Sequence, residues 1–244
     1  MAKQRLDILL AERGLFPSRE KARRGILAGM VTVDGRPSGK PGREVDAAAV
    51  IELLQPDRYV GRGGEKLEGT LADFGISPRG LVVLDLGSST GGFTDCLLQK
   101  GARRVYCLDV GRGQLSWKLR RDPRVIAREG FNARRLAPGD LPEKPDLITI
   151  DLSFISLRKV LPAALGVLKE GGLILALIKP QFEAGRAEVR RGGVVRDPEV
   201  HRRVIAGIGD FARGLGLEAR GVKESRLTGP AGNREFFILL SRPA

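Results

Sequence analysis

Four residues carry a charge where the surrounding pattern gives no folding reason for one. Asp151 closes the apolar run Asp146-Leu147-Ile148-Thr149-Ile150-Asp151. Lys179 closes Leu173-Ile174-Leu175-Ala176-Leu177-Ile178-Lys179. Glu235 opens Glu235-Phe236-Phe237-Ile238-Leu239-Leu240, and Lys66 sits in the helix-like stretch Glu65–Gly75. A charge at the edge of an apolar run costs free energy unless it is paired or used. Any one of the four reads equally as an ordinary salt bridge. As a set, two lysines and two carboxylates weaken the salt-bridge reading and mark a candidate constellation for acid–base work. The only histidine, His201, lies among Arg and Val in a polar helical segment and is expected at the surface. Cys96 and Cys107 lack metal-ligand spacing and read as buried free thiols, so no metal site is expected. Acid–base work therefore falls to lysine and carboxylates.

A second constellation is the loop in Leu81-Val82-Val83-Leu84-Asp85-Leu86-Gly87-Ser88-Ser89-Thr90-Gly91-Gly92-Phe93-Thr94-Asp95. An apolar strand breaks into a Gly/Ser/Thr turn that opens a helix at Phe93. This is the nucleotide-cofactor corner of a doubly wound α/β domain, with glycines that let backbone N–H groups approach a ligand. The spacing Gly87-x-x-x-Gly91-Gly92 fits the dinucleotide fingerprint poorly. It suits S-adenosylmethionine, which has no phosphate to cradle. Asp109 closes the next strand, about twenty residues on, where a carboxylate grips ribose hydroxyls. The expected cofactor-binding set is Asp85, Gly87, Ser88, Ser89, Gly91, Gly92, Phe93 and Asp109, with Asn132 beyond the third strand.

The elements that must position these residues alternate strand and helix. Strands are expected at 81–86, 104–109, 124–128, 146–151, 173–178, 217–223 and 235–240, and helices at 65–75, from 93, at 114–121, 157–168 and 198–214. The fold class is α/β, a Rossmann-like sheet with ligands at the carboxyl ends of its strands. The last strand is expected to run antiparallel, which brings Glu235 to the same edge as Asp151 and Lys179. Residues 181–197 are Gly- and Arg-rich without apolar periodicity and read as a mobile loop.

Ahead of this domain, residues 1–55 form a separate small α+β unit, and 56–63 a Pro/Gly/Arg linker leading into the domain at 64–244. Ser18 is a good N-cap for a helix crowded with Arg19, Lys21, Arg23 and Arg24, and Asp34-Gly35 marks a hairpin turn. The formal net charge of +13, from 42 Lys+Arg against 29 Asp+Glu, points to a polyanionic partner, most simply nucleic acid. The 42% hydrophobic fraction suffices for a core, no apolar run is long enough to span a membrane, and no signal-type core follows Met1, so a cytoplasmic protein is expected.

The N-terminal unit resembles S4-type RNA-binding domains through Arg5-Leu6-Asp7, Ser18-Arg19-x-x-Ala22 and Gly29-x-Val31-x-Val33-x-Gly35. That resemblance implies RNA contacts from Arg5, Arg19, Lys21, Arg23 and Arg24. The order Lys66, Asp151, Lys179, Glu235 resembles the Lys-Asp-Lys-Glu tetrad of FtsJ-like RNA 2′-O-methyltransferases. Arg62-Gly63-Gly64-Glu65-Lys66-Leu67, Asp85 to Asp95, Asp151-Leu152-Ser153-Phe154-Ile155-Ser156-Leu157, Lys179-Pro180-Gln181-Phe182-Glu183 and Gly232-Asn233-Arg234-Glu235-Phe236-Phe237 are similar to the hemolysin A (TlyA) family across nearly the whole chain. The resemblance implies methyl transfer from S-adenosylmethionine to the ribose 2′-hydroxyl of cytidine in ribosomal RNA. It favours the large subunit, because the chain ends at Ala244, soon after the last strand, as the shorter members do. Lys179 is then the base or hydroxyl activator, Lys66 orients the oxygen, and Asp151 and Glu235 support them. Phe154 reads either as a stacking partner for the target nucleotide or as a core phenylalanine. Other readings meet obstacles. A base N-methyltransferase would carry prolines after Asp151 and leaves the lysines unexplained, and a nicotinamide oxidoreductase conflicts with the loop spacing. A non-enzyme reading also stands: an S4 module can serve as an RNA adaptor beside a vestigial methyltransferase fold, and a hemolytic activity stays open as a secondary one, although a pore former needs a membrane-inserting segment and none is found in the sequence.

Overall fold

The computed structural model describes residues 3–54, 58–190 and 192–243. The chain divides into two compact units, Met1–Asp57 and Arg58–Ala244. Residues 55–57, where the expected small unit ends and the expected linker begins, lie outside the described residues.

The smaller unit contains β1 (Lys3–Arg5), α1 (Leu6–Glu12), α2 (Arg19–Leu27), β2 (Val31–Val33), β3 (Arg36–Pro37), β4 (Glu44–Asp46) and β5 (Ile51–Leu53). β2 pairs antiparallel with β3 and β5, and β1 with β4. The Ser18 hydroxyl accepts a hydrogen bond from Lys21 N at 3.3 Å and starts α2. Asp34 and Gly35, at φ 51° and 72°, make the tight turn between β2 and β3. Leu6, Leu10, Ala22, Ile26 and Val31 are fully buried between helices and sheet. Asp7 is buried with them and is held by two guanidinium groups, Arg5 Nε at 3.1 Å and Arg19 Nε at 2.9 Å. The hydrogen bond from Arg5, with Arg19 adding to it, brings the Asp7 carboxyl down to about 2. The β1–β4 pair is not visible in the sequence, because three-residue polar strands carry no alternation of apolar side chains.

The larger unit contains α3 (Gly63–Phe74), β6 (Val82–Leu86), α4 (Gly92–Gln99), β7 (Arg104–Asp109), α5 (Trp117–Arg120), β8 (Val125–Glu129), β9 (Leu147–Ile150), α6 (Leu161–Val167), β10 (Leu173–Ile178), α7 (Pro180–Glu183), α8 (Pro198–Gly214), β11 (Glu218–Glu224) and β12 (Phe236–Ser241). Its seven strands run in the order β11-β12-β10-β9-β6-β7-β8. The five from β10 to β8 are parallel, and β12 lies antiparallel between β10 and β11. In the five strands from β12 to β7 alternate side chains enter opposite cores, while the edge strands β11 and β8 are largely exposed. Leu84, Leu86, Ile148, Ile150, Ile174 and Ile178 pack with α6 and α8. Val83, Val105, Leu147, Leu175 and Phe237 pack with α3 and α4. Burial on both faces is why these strands read as unbroken apolar runs.

Several local expectations need correction. The helix expected over 114–121 is only the single turn of α5. The stretch 157–168 divides into a 3₁₀ turn, Leu157–Lys159, and α6, because Pro162 has no N–H to continue a helix begun at Leu157. His201 is not at the surface: it is 3% exposed, its ring lies 5.4 Å from that of Phe236, and Nε2 is 3.0 Å from Val195 O. The segment expected as a mobile loop begins with α7, and its far part is tied down. Asn233 accepts from Val195 N and donates to Gly193 O, both at 2.9 Å, while Val195 is 1% exposed. These ties are polar and reach some forty residues along the chain, so no local periodicity announces them; Arg191 lies outside the described residues. The expected linker residues from Arg58 on belong to the larger unit, with Val60 N donating to Asp95 at 3.0 Å.

The Asp7 pair gives an acid-sensitivity test. A carboxyl lowered in the fold contributes stability that is present above its ordinary value of 3.8 and lost as pH falls through about 2. Protection of the α1 amides from hydrogen exchange should therefore fall between pH 4 and 2 in the wild type. In Asp7→Asn it should already be low at pH 5 and change little below. Equal protection in both proteins at pH 5 would remove the pair from the stability of this unit.

Candidate active site

The carboxyl edge of the sheet collects the charges singled out in the sequence. The register Ile178↔Phe236 sets Lys179, just past β10, beside Glu235, just before β12. Asp151 follows β9, and Asp109 ends β7. Lys66 projects from α3 and its Nζ donates to Glu235 Oε2 at 2.5 Å; Lys66 is 7% and Glu235 1% exposed. Lys179 Nζ lies 2.6 Å from Asp151 Oδ1, in ionic contact but outside hydrogen-bond alignment, and donates to Ser153 Oγ at 3.1 Å. The tetrad is thus two lysine–carboxylate pairs side by side, one buried and one opening onto a cleft.

Three clefts follow this edge. One of about 270 Å³ runs from Asp109 and Val110 past Phe131 and Asn132 to Leu152 and Phe154. One of about 160 Å³ lies between Gly61-Arg62-Gly63, the loop Gly87-Ser88-Ser89-Thr90 with Gly92 and Phe93, and Asp151. The third, about 360 Å³, holds Lys179 and Glu235 with Phe154, Gln181, Phe182 and the Pro230-Ala231 turn. The first two combine apolar walls, a carboxylate and a polar loop backbone. Val110 and Phe154, 72% and 90% exposed, offer apolar walls beside a carboxylate, and the loop backbone and Arg62 form a polar end. Asp109 is positioned by backbone donors, Ser89 N to Oδ2 at 2.8 Å and Gly111 N to Oδ1 at 2.6 Å, and each oxygen keeps a further lone pair for a hydroxyl.

Two of the loop glycines are also required by the protein's own packing. A Cβ on Gly87, at φ +88°, would stand 2.3 Å from Asp151 O, and one on Gly91, at φ +100°, 2.2 Å from Leu119. Both clear space for the protein's own chain, and Gly91 lines none of the three clefts. Asp85 lines none of them either. It is fully buried and accepts from Thr94 Oγ at 2.7 Å and Thr149 Oγ at 2.9 Å, fixing the helix after the loop to β9. Phe93 is 4% exposed, tilted against Phe237. Asn132 caps a 3₁₀ turn by accepting from Arg134 N, at the rim of the first cleft.

Phe154 is no core residue. It holds a left-handed backbone, φ +62°, and its ring meets Phe182 at 5.1 Å between the first and third clefts. The turn behind it is anchored by Glu183, which accepts from Ser156 Oγ at 2.6 Å and Leu157 N at 2.7 Å; burial pushes this carboxyl up. Ser153, Phe182, Glu183 and Asn233 were not singled out as functional from sequence. Their signal is their place inside the same short words as Asp151, Lys179 and Glu235.

A family model for FtsJ-like methyltransferases matches residues 59–242, and one for the S4 domain matches residues 4–51. The chain is 46% identical over 238 residues, 97% of its length and 89% of the relative's, to the 16S/23S rRNA (cytidine-2′-O)-methyltransferase TlyA of Mycobacterium tuberculosis. The chain belongs to the TlyA family of FtsJ-like methyltransferases. Among other members, the 23S rRNA (cytidine-2′-O)-methyltransferase TlyA of Campylobacter jejuni is 36% identical over 77% of the chain and 72% of that protein. Hemolysin A of Brachyspira hyodysenteriae is 40% identical over 96% of the chain and 98% of that protein. The solved structure of a candidate hemolysin from Streptococcus thermophilus superposes with a TM-score of 0.76 at 43% identity, covering 100% of this chain and 90% of that one. More distant S-adenosylmethionine-dependent methyltransferases, such as that of Mesorhizobium loti at 16% identity and TM-score 0.57, over 75% of this chain and 100% of that one, share the fold.

In this TlyA-family chain the basic residues of the S4 unit are unequally available. Arg5 and Arg19 hold Asp7, Arg24 pairs with Glu20 on the surface, and Lys21 and Arg23 stand exposed. Among the described residues no helix is long and apolar enough to cross a membrane, and no group of three or more His, Cys, Asp or Glu could hold a metal ion. Burial pushes the Cys96 thiol up to about 11, and Cys107 higher still.

Asp85 carries a test with the opposite sign to Asp7. Burial raises its carboxyl from 3.8 to about 6, so its favourable contribution is complete below pH 3.8 and lost as pH rises through about 6. Asp85→Asn keeps the shape, and both threonine hydroxyls can accept as well as donate. The variant should melt close to the wild type at pH 4.5 and become the more stable of the two at pH 7.5, by on the order of 1–3 kcal/mol. A difference that does not change with pH would show that Asp85 is ionised at no cost.

Proposed function

We propose that the protein transfers a methyl group from S-adenosylmethionine to the ribose 2′-hydroxyl of a cytidine in ribosomal RNA. The observation that carries this reading is the pairing Lys66–Glu235 and Lys179–Asp151 at one sheet edge, with Lys179 and Glu235 lining a cleft beside the exposed Phe154. Large-subunit RNA is the substrate proposed, because the M. tuberculosis and C. jejuni relatives both carry 23S rRNA in their names. Work on ribosomal RNA would place the protein in the cytoplasm. The S4 unit, residues 1–55, would hold RNA phosphates with Lys21, Arg23 and Arg24, with Arg5 and Arg19 contributing from their pairs with Asp7. The larger unit, from Arg58 on, would carry the chemistry.

Bound S-adenosylmethionine supplies an electrophilic methyl group on a sulfonium. Asp109 and Asn132 would hold its ribose and adenine side, the Gly87–Phe93 loop its amino-acid end, with Asp85 and Gly91 keeping that loop in shape. The protein's own contribution is to place one hydroxyl and take its proton. Phe154 stacks on the target nucleotide. Lys66, fixed by Glu235, donates to the ribose oxygen and orients it. Lys179 Nζ, held beside Asp151 Oδ1 and Ser153 Oγ, would be placed to take the proton of the ribose O2′. Asp151 Oδ1 and Ser153 Oγ then hold the ammonium.

Mass mapping of 2′-O-methylated nucleotides in ribosomal RNA, from cells with and without the protein, tests the reading directly. One 2′-O-methylcytidine should disappear with the protein; an unchanged map overturns it. Lys179→Met should slow single-turnover methyl transfer by about a hundredfold or more, while cofactor and RNA affinities stay within a few-fold. A near wild-type rate would make the lysine structural. Asp109→Ala should weaken S-adenosylmethionine binding, read by calorimetry, by about tenfold or more, through loss of charge-assisted hydrogen bonds. Unchanged affinity would remove Asp109 from the cofactor site.

A further inference from the structure

Beside the cofactor loop the fold holds an aromatic ring out to water. Trp117, the only tryptophan of the chain, opens α5 and is 66% exposed. The turn that carries it is fixed from behind. Leu115 and Leu119 are buried and pack against Gly91, and Ser116 N donates to Thr90 O at 3.1 Å. Lys118 Nζ donates to the buried Asp95 at 3.0 Å, while the Lys118 side chain stays 64% exposed. The Arg121 guanidinium lies over the Trp117 ring, 4.7 Å from its centre. The nearest carboxylates in sequence are engaged elsewhere, Asp122 by Arg124 and Glu129 by Arg120. Among the described residues Arg121 is exposed and forms no ion pair. An indole held in water adds little to the core. A fixed turn that displays it together with a lysine and an arginine has the composition of a stacking platform, with charges for the phosphates alongside.

We propose that Trp117, with Arg121 and Lys118, is an RNA-contacting surface of the larger unit, on which an unpaired base stacks while the two cations meet neighbouring phosphates. This rests on the RNA methylation proposed above and adds a contact outside the reacting nucleotide. The partner follows from shape and charge. The indole offers a flat face, and every base has a π-face to lay against it. A base inside a duplex has its faces covered by its neighbours, so the surface takes unpaired nucleotides. Arg121 is free to meet a phosphate, and the chain as a whole carries a net charge of +13. Among the described residues Phe154 is the other exposed aromatic ring. Trp117 and Phe154 follow β7 and β9, whose carboxyl ends border the clefts, so each would serve a different nucleotide of one strand.

A single tryptophan makes the surface its own reporter. The test titrates the full-length protein with protein-free 23S ribosomal RNA and reads the emission of Trp117. Emission should fall and saturate, and the indole should become shielded from acrylamide. Trp117→Ala should bind the RNA about tenfold more weakly, and Trp117→Phe, which keeps an aromatic face, should stay within about threefold of the wild type. Arg121→Gln should flatten the dependence of log affinity on log salt by about 0.7, the share of one phosphate on a single strand. S-adenosylmethionine affinity, read by calorimetry, should be unchanged in Trp117→Ala. Unaltered emission and acrylamide access at saturating RNA overturn the proposal without recourse to any variant. Wild-type RNA affinity in Trp117→Ala overturns it too, and so does a joint loss of cofactor and RNA affinity, which would make the residue structural. If the wild type binds RNA through Trp117 but forms no 2′-O-methylcytidine, the functional reading has failed and the surface stands.

Discussion

A carboxylate and an ammonium 169 residues apart in sequence meet at 2.5 Å with almost no water around them. The Lys66–Glu235 pair fastens α3 to the first residue before β12, and this is the fixed point of the site. An ion pair this well buried does not by itself add much stability, but removing one member leaves an uncompensated charge at a cost of about 3–5 kcal/mol. The glycine-rich start of α3 packs on the cofactor loop, where a Cβ on Gly63 would stand 3.2 Å from the Phe93 ring. Any displacement of Glu235 therefore reaches the loop through the helix. The second pair is looser: the Lys179 and Asp151 side chains are 12% and 22% exposed. One lysine is locked and the other is reachable, the division expected when one group sets geometry and the other exchanges a proton.

The sheet was legible because each central strand is covered on both faces and so is written as an apolar run. Asp151, Lys179 and Glu235 stand out for the same reason, as charges at the ends of such runs, whereas Lys66 lies inside a helix and its meeting with Glu235 has no period to announce it. The antiparallel entry of β12 then brought Glu235 to the edge where Asp151 and Lys179 wait. What could not be read were contacts that have no period. Gly87 yields to the carbonyl of Asp151 and Gly91 to Leu119. Both crossings depend on the packing of segments distant in sequence, and in the sequence they look like room for a ligand. Asp85 sits in the cofactor motif yet serves Thr94 and Thr149. His201 is surrounded by polar neighbours in sequence but turns inward, because α8 presents one face to Phe236 and Val195.

Many of the chain's lysines and arginines stand in ion pairs, which matters for how it meets a polyanion. The Arg24–Glu20 pair is about three-quarters exposed on both sides and contributes little to stability, so a phosphate can replace the glutamate at small cost. Arg5 and Arg19 are different, because Asp7 behind them is buried and needs them. Their free faces can still meet a phosphate, but only in the orientation that Asp7 imposes. The small unit thus combines adaptable cations with oriented ones.

Phe154 has a consequence of its own. It combines a backbone conformation that disfavours any side chain with an apolar ring 90% exposed to water. Left-handed backbone at a non-glycine residue costs on the order of 1 kcal/mol, and an exposed ring on an edge contact recovers little of it. The fold would be better served by glycine at this position. A screen for thermal resistance alone would therefore tend to discard the ring that faces the substrate cleft, and a thermally improved version of this protein should first be checked for whether residue 154 is still aromatic.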